Sequence, residues 1–239
     1  MSLQNIVLMD EVWEEEVFDG EGGKLMSRNI KDYDGTLTKF VFLNILIVLL
    51  VMSLLKFKNT DSIWDLIEKV QTSGVGLIFA SVFALLINGV LKTGYKNIIV
   101  FWKVKHPLPS YRVFSHLAQN DHRIDLDVFN RKYDPIPIDP ESQSKLWYKL
   151  LKKYPDDEMV LQSHRDYLLY RDLTSMSFLV LLVYTVAFIL LKIFGLDISS
   201  LLILLFLAEY LILLISARNK AERFVLNVIA CDISSSLTN

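Results

Sequence analysis

Residues 198–217 read ISSLLILLFLAEYLILLISA, with Asp197 before them and Arg218 after. One charge interrupts the run, Glu209, set about midway. A helix rises about 1.5 Å per residue, so a run of this length covers the ~30 Å of a bilayer's hydrocarbon core. Three further runs carry no charge at all: Phe40 to Leu55, Val70 to Leu91 and Leu173 to Leu191. The first is short, but Lys39 and Lys56 can snorkel from its ends and Phe57 adds apolar length. Soluble cores rarely use runs this long. The expected fold class is therefore an all-α membrane protein with four transmembrane helices, at residues 40–57, 70–91, 173–194 and 198–217.

Composition agrees and narrows the classes. The chain has 239 residues, 52% of them hydrophobic and 22% charged, with a net charge of −2. Its mean hydropathy is +0.36. So apolar a chain is not disordered over most of its length. A single cysteine, Cys231, cannot close an intramolecular disulfide. Near-neutral charge removes the general argument for nucleic-acid binding, and none is expected.

Lys and Arg near the span ends set the orientation. One side of the expected topology has Lys56, Lys58, Lys69 and Lys192; the other has thirteen, from Lys24 through Lys96, Lys105 and Arg171 to Arg223. Both termini and the central segment, residues 92–172, are thus expected in the cytoplasm. The acid-rich segment 1–39 includes Glu14, Glu15 and Glu16 and has no apolar signal core, so it is expected to be retained. Residues 58–69 and 195–197 form the outer connections, the second a tight turn after Gly195. Residues 218–239 form a cytoplasmic extension.

The helices are expected to outrun the bilayer. Asp156 and Asp157, after Pro155, supply an N-cap and an acidic first turn. No Gly or Pro then breaks the chain as far as Phe194, so residues 156–194 read as one helix. Span four continues through Ala221, Phe224, Val225, Val228 and Ile229 beside Lys220, Glu222 and Arg223, an amphipathic pattern. Ile98, Ile99, Phe101 and Trp102 extend the stripe of span two until His106-Pro107-Leu108-Pro109 forces an extended exit. Between these rods, Ser110 is expected to cap a helix carrying Val113, Phe114 and Leu117. Leu126, Phe129 and Tyr133 mark a second short helix. Asp139-Pro140-Glu141 is an N-cap, a proline at the first helical position and a first-turn acid, opening a helix with Leu146, Trp147, Leu150, Leu151 and Tyr154. A unit this small must pack on the helix extensions to bury a core.

Two places hold candidate chemistry. Glu209 at membrane depth costs about 2.5–3.5 kcal/mol and must face the bundle interior or a cavity. It reads as an ion or proton site or a contact between subunits. Otherwise it is a neutral acid bonded to Asn88, Asn44, Ser81 or Tyr184 and acting as packing glue. The second place is Arg112 to Asp127, where His116, Asp121, His122 and Asp125 gather with Arg112 and Arg123. His and Asp in this density suit a metal or acid–base work, but the spacing is not that of the zinc hydrolases. The alternative is a polar helix junction in which these groups cap helices and pair with the arginines. Arg112, Arg123, Arg131 and Lys132, with His116 and Tyr111, also offer an anion or small-nucleotide site, without a Gly-rich phosphate loop to support it. No Ser–His–Asp, Walker or dinucleotide signature is present, and no cofactor, bound metal or catalytic residue is expected. His106, His164 and Cys231 read as structural.

The block Leu108 to Asp127, with Trp147-Tyr148 and Tyr167 to Asp172, is similar to uncharacterised bacterial four-span proteins. In architecture the chain resembles the membrane effectors of bacterial anti-phage systems. That resemblance implies sensing in the cytoplasm and disruption of the inner membrane. The expected function is a non-enzymatic, oligomeric inner-membrane sensor or effector. Its partners are the lipid bilayer, further copies of itself, and a cytoplasmic protein or small nucleotide. The alternatives are a membrane-anchored metal-dependent enzyme using His116, Asp121, His122 and Asp125, and an ion-channel or accessory subunit engaging a larger partner through the acidic N-terminal segment.

Overall fold

The computed structural model describes residues 33–56, 89, 91–193 and 200–237. Every regular element among these residues is helical, and none is a strand. The helices are α1 (Asp34–Lys56), α2 (Thr93–Phe101), α3 (Leu126–Lys132), α4 (Pro140–Lys153), α5 (Glu158–Ile193) and α6 (Leu201–Leu237). Two of them, α5 and α6, are long and apolar enough to cross a membrane. Helix α1 covers the first charge-free run. The run at 70–91 lies almost wholly outside the described residues, as do the outer loop with Asn59, Thr60 and Trp64, the turn at 195–197 and the segment 1–32.

The chain divides into two units. Among the described residues, one, here the apolar unit, holds 33–56, 89, 91, 172–193 and 200–214; the other, the polar unit, holds 92–171 and 215–237. Both long helices contribute to each unit.

In the apolar unit, Leu202, Phe206, Tyr210 and Leu214 follow at four-residue spacing on α6 and are all buried. Leu37, Val41 and Asn44 of α1 and Thr174, Ser175, Met176 and Ser177 of α5 are buried as well. Small hydroxyl residues allow helices to approach closely. The remaining surface is greasy: Leu182, Val183, Val186, Ile189, Leu190 and Ile193 of α5, and Leu201, Leu204, Ile212 and Ile215 at and beside this part of α6, are exposed. Only 22% and 28% of the apolar stretches of α5 and α6 are buried. A helix from the core of a soluble protein would be mostly covered, whereas these two stretches are largely exposed and have the length and apolarity of membrane-crossing helices.

The polar unit obeys ordinary amphipathic rules. Helix α4 starts as its sequence reads: Asp139 caps it by accepting from the Ser142 amide at 2.9 Å, Pro140 takes the first turn and Glu141 follows. That amide holds the Asp139 carboxyl below the ordinary carboxylate range. Gln143, Trp147 and Leu151 form its buried stripe. Helix α5 begins two residues later than expected, because Asp157 is the cap and accepts from the Val160 amide at 3.0 Å. It then runs unbroken through Ile193, and α6 runs unbroken from Leu201 through its amphipathic extension. Phe224 on α6 centres the core, with the His164 ring stacked on it at 4.5 Å and the Trp147 ring edge-on at 5.4 Å. A second aromatic cluster joins Phe114, Phe129 and Tyr133. Aromatic pairs of this kind add about 0.5–1.5 kcal/mol each beyond burial.

Two expectations are corrected. The stripe Ile98 to Trp102 does not continue span two as one helix. Lys92 is extended (φ −61°, ψ 150°), α2 starts afresh at Thr93, and Trp102 ends it in the left-handed conformation (φ 53°) with its N–H on the Ile98 carbonyl. Gly89 and Gly94 flank the break, and glycine weakens a helix there. Ser110, in turn, caps no regular helix. Residues 109–120 form a 3-10 turn, a π turn over Val113–Leu117 and a second 3-10 turn. The cause lies in α4. The fully buried Gln143 Oε1 accepts from the Phe114 N–H (3.1 Å), the Ser115 N–H (3.0 Å) and the Ser115 hydroxyl (3.2 Å), while its Nε2 donates to the Ile138 carbonyl. Backbone donors held from outside do not close α-helical bonds. Ser110 instead meets the Ser144 hydroxyl at 3.2 Å.

Gln143→Leu strands two amides and should cost about 2–4 kcal/mol. Gln143→Glu keeps the acceptor and should cost less. Chemical unfolding of the detergent-solubilised chain, followed by tryptophan fluorescence, reads both. Equal costs would contradict the role given to Oε1.

Candidate functional site

The block expected to carry chemistry comes apart into separate local arrangements. Asp125 caps α3, its Oδ1 accepting from the Asp127 and Val128 amides. Asp121 takes the Arg123 guanidinium, Nη2 to Oδ2 at 2.6 Å and Nε to Oδ1 at 3.0 Å. This pairing holds the Asp121 carboxyl below its ordinary range, against the upward effect of burial. Arg123 Nη1 also donates to Asn227 on α6 at 2.8 Å. Arg112 leaves the block and pairs with Glu222 on α6 at 2.6 Å. His116 and His122 are exposed, and the His116 carbonyl accepts from Asn120. Among the described residues no group of three or more His, Cys, Asp or Glu is placed to hold a metal ion. The four cations offered for an anion site turn to different partners: Arg112 to Glu222, Arg123 to Asp121, Arg131 to the Asp127 carbonyl and Lys132 to Asp232.

The densest polar arrangement is one the sequence reading missed. Asp232 on α6 is fully buried. Its Oδ2 accepts from the Tyr133 hydroxyl at 2.5 Å and the Lys132 ammonium at 2.6 Å; its Oδ1 accepts from the Tyr154 hydroxyl at 2.7 Å and Lys153 at 3.0 Å. Lys132 also donates to the Asp232 carbonyl, and Tyr154 meets the Ser235 hydroxyl. One carboxylate thus fastens the ends of α3 and α4 to α6. Burial alone would push its pKa up, but the four donors outweigh it and hold it at about 2. The same contacts, after burial, push the Tyr133 phenol above its ordinary range, so it stays neutral. A signal for Asp232 existed. Ala221, Val225 and Val228 define the buried stripe of α6 at helical spacing, and Asp232 is its next position. An acid there must find partners or stay neutral.

Cys231 beside it is buried, donates to Asp157 Oδ2 at 3.2 Å, and has its thiol pushed up to about 11 by burial and by Asp157. A thiol in that state is a poor nucleophile. His164 stacks on Phe224, and His106 lies against Tyr111 with Glu141 at 3.8 Å.

Within the apolar unit, Glu209 Oε1 accepts from the Ser177 hydroxyl of α5 at 2.9 Å, and the Asn44 side chain of α1 interacts with the same carboxyl. Ser177 was not anticipated. Tyr184 packs edge-on against Phe206. Asn88 and Ser81 lie outside the described residues.

No protein-family model, curated protein or solved structure matches this chain.

Asp232 has a native pKa below its unfolded value, so the stability it contributes is present above the ordinary carboxylate range and is lost as pH falls toward 2. Asp232→Asn should destabilise the chain by about 3 kcal/mol at neutral pH, because it leaves buried donors without their charge partner. The variant should also flatten the acid limb of the stability profile. Thermal unfolding in detergent between pH 7 and the acid limit checks both; an unchanged acid limb in the variant would contradict the assignment.

Proposed function

We propose that this protein is a multi-pass inner-membrane sensor or effector without enzymatic chemistry of its own, in which the polar unit receives a cytoplasmic ligand or partner and the helices it grips pass the change into the bilayer. In this reading the chain crosses four times, at residues 40–57, 70–91, 173–194 and 198–217, with both termini inside. It acts as an oligomer, in the manner of the anti-phage membrane effectors that its architecture resembles. The observation that carries the reading is the division of α6. Its first half presents leucines that call for lipid, with Glu209 among them. Its second half is held by Arg112, Arg123, Lys132, Tyr133, Tyr154 and Asp166 through α6 side chains from Lys220 to Asp232. Trp147 Nε1 donates to the Val225 carbonyl of the same helix, and Arg218 donates to the Val100 carbonyl at the end of α2. A rearrangement of the polar unit therefore acts on α6 directly. Transmission needs two states in which the ligand binds with different affinity.

Arg112→Glu sets two acids against each other at the Arg112–Glu222 contact and stands in for an altered polar unit. Hydrogen exchange of the whole chain in lipid nanodiscs should then change several-fold at residues 201–214 as well as near the substitution. A change confined to the polar unit would mean that α6 transmits nothing.

A further inference from the structure

Helix α2 ends in a short loop that carries an aromatic ring and two cations on its outside. Trp102 is 62% exposed and Val104 46%, and Lys103 and Lys105 are exposed beside them. The loop is held at both ends. Trp102 and His106 take φ of 53° and 52°, a left-handed conformation that bulky residues rarely adopt. The Trp102 N–H donates to the Ile98 carbonyl at 2.8 Å, and the His106 ring lies 4.6 Å from that of Tyr111, with Glu141 at 3.8 Å. Arg218 on α6 completes the surface. Its guanidinium stands 5.0 Å from the centre of the Trp102 ring, and its Nε donates to the Val100 carbonyl at 2.8 Å. Among the described residues that is the one hydrogen bond of its side chain, so the Nη donors remain for an anion.

Charge and position identify the anion. From residue 92 to 120 the sequence holds Lys92, Lys96, Lys103, Lys105 and Arg112 and no acid. The next two charges on α6 beyond Arg218 are already matched, Lys220 by Asp166 and Glu222 by Arg112, each at 2.6 Å. Arg218 is the first charge after Glu209 and directly follows the run 198–217. In the placement proposed above it stands at the inner edge of the hydrocarbon, and the ring it covers stands there too. Tryptophan collects at that depth, and cations there meet the charge of anionic lipids. A guanidinium seated on an aromatic face keeps its planar fork for a phosphate.

We propose that Trp102, Lys103, Lys105 and Arg218 form a seat for the headgroup of an anionic phospholipid in the cytoplasmic leaflet. Arg218 and the two lysines meet the phosphate, while Trp102 and Val104 rest against the glycerol and the first acyl carbons. A zwitterionic lipid offers the same phosphate, but its own cation competes with these three, so the seat selects for net negative charge. The inference rests on the membrane placement proposed above, but not on transmission of a ligand signal.

Spin-labelled lipids test it, with the full chain in phosphatidylcholine nanodiscs. Labelled phosphatidylglycerol should be immobilised in preference to labelled phosphatidylcholine by about fivefold, near the effect of one cation at a lipid surface. Added salt should weaken the preference. Lys103→Gln with Lys105→Gln should lower it at least about threefold. Lys145→Gln with Lys149→Gln, which removes the same charge from exposed positions of α4, should leave it unchanged. Arg218→Gln should lower it as well; if that variant fails to fold, the lysine pairs decide alone. The proposal is overturned if the wild-type chain shows no preference, or if the two lysine pairs lower it equally, which would make it an effect of net charge. It is equally overturned if inorganic phosphate abolishes the preference where chloride of the same ionic strength does not, which would make the ligand a soluble anion. A chain that does not enter nanodiscs refutes the membrane placement, whereas one that enters and shows no preference refutes the lipid seat alone.

Discussion

A single helix of 37 residues joins a half with exposed apolar side chains to a half held by polar anchors, and much of the described chain packs along it. From Leu201 to Leu214 helix α6 buries one leucine or aromatic ring every fourth residue and leaves most of the residues between them exposed. From Arg218 onward nearly every turn carries a polar anchor: Arg218 to a carbonyl, Lys220 to Asp166, Glu222 to Arg112, Asn227 to Arg123, Asp232 to four donors. The first half has the length and apolarity to cross a membrane, and the second carries the polar contacts. Continuity of the backbone ties the two halves together. Helix α5 repeats the pattern, with buried Arg171 and Asp172 at the change between them.

Much of this was legible because it is local. A charge-free run announces its length, and a cap announces itself in three residues: Asp139-Pro140-Glu141 and Asp157 each bond to an amide three residues on. The uninterrupted reach of α5 follows from the want of Gly or Pro between its ends. What the sequence hid was non-local. Nothing near Ser110 says that Gln143, some thirty residues ahead, will hold two of its neighbours' amides and turn an expected helix into 3-10 and π turns. The partners of Asp232 lie about 80 to 100 residues away. Arg112 to Asp127 looked like one chemical cluster because its polar residues are adjacent in sequence, yet a side chain's direction is set by the element that carries it. Here those directions diverge, to α6, to a helix cap and to the surface.

Two acids of α6, fully buried Asp232 and half-buried Glu209, keep different company. Asp232 keeps its charge by gathering two lysines and two tyrosines, and so serves as a fixed clasp. Glu209 has one hydroxyl and one amide for company. Low local dielectric makes a fully satisfied network rigid and an unpaired buried polar group costly. Both acids sit on one helix: Asp232 meets residues at the ends of α3 and α4, and Glu209 meets Ser177 of α5 and Asn44 of α1.

The account depends most on the surroundings of the bare half of α6, and spin labels report that surrounding directly. Labels placed singly at Leu204 and Ile212, each 65% exposed, and at Arg223 in the anchored half can be compared in nanodiscs for relaxation by oxygen and by a water-soluble nickel chelate. The account requires strong oxygen and weak chelate relaxation at Leu204 and Ile212, and the reverse at Arg223. Chelate access at all three positions would contradict it.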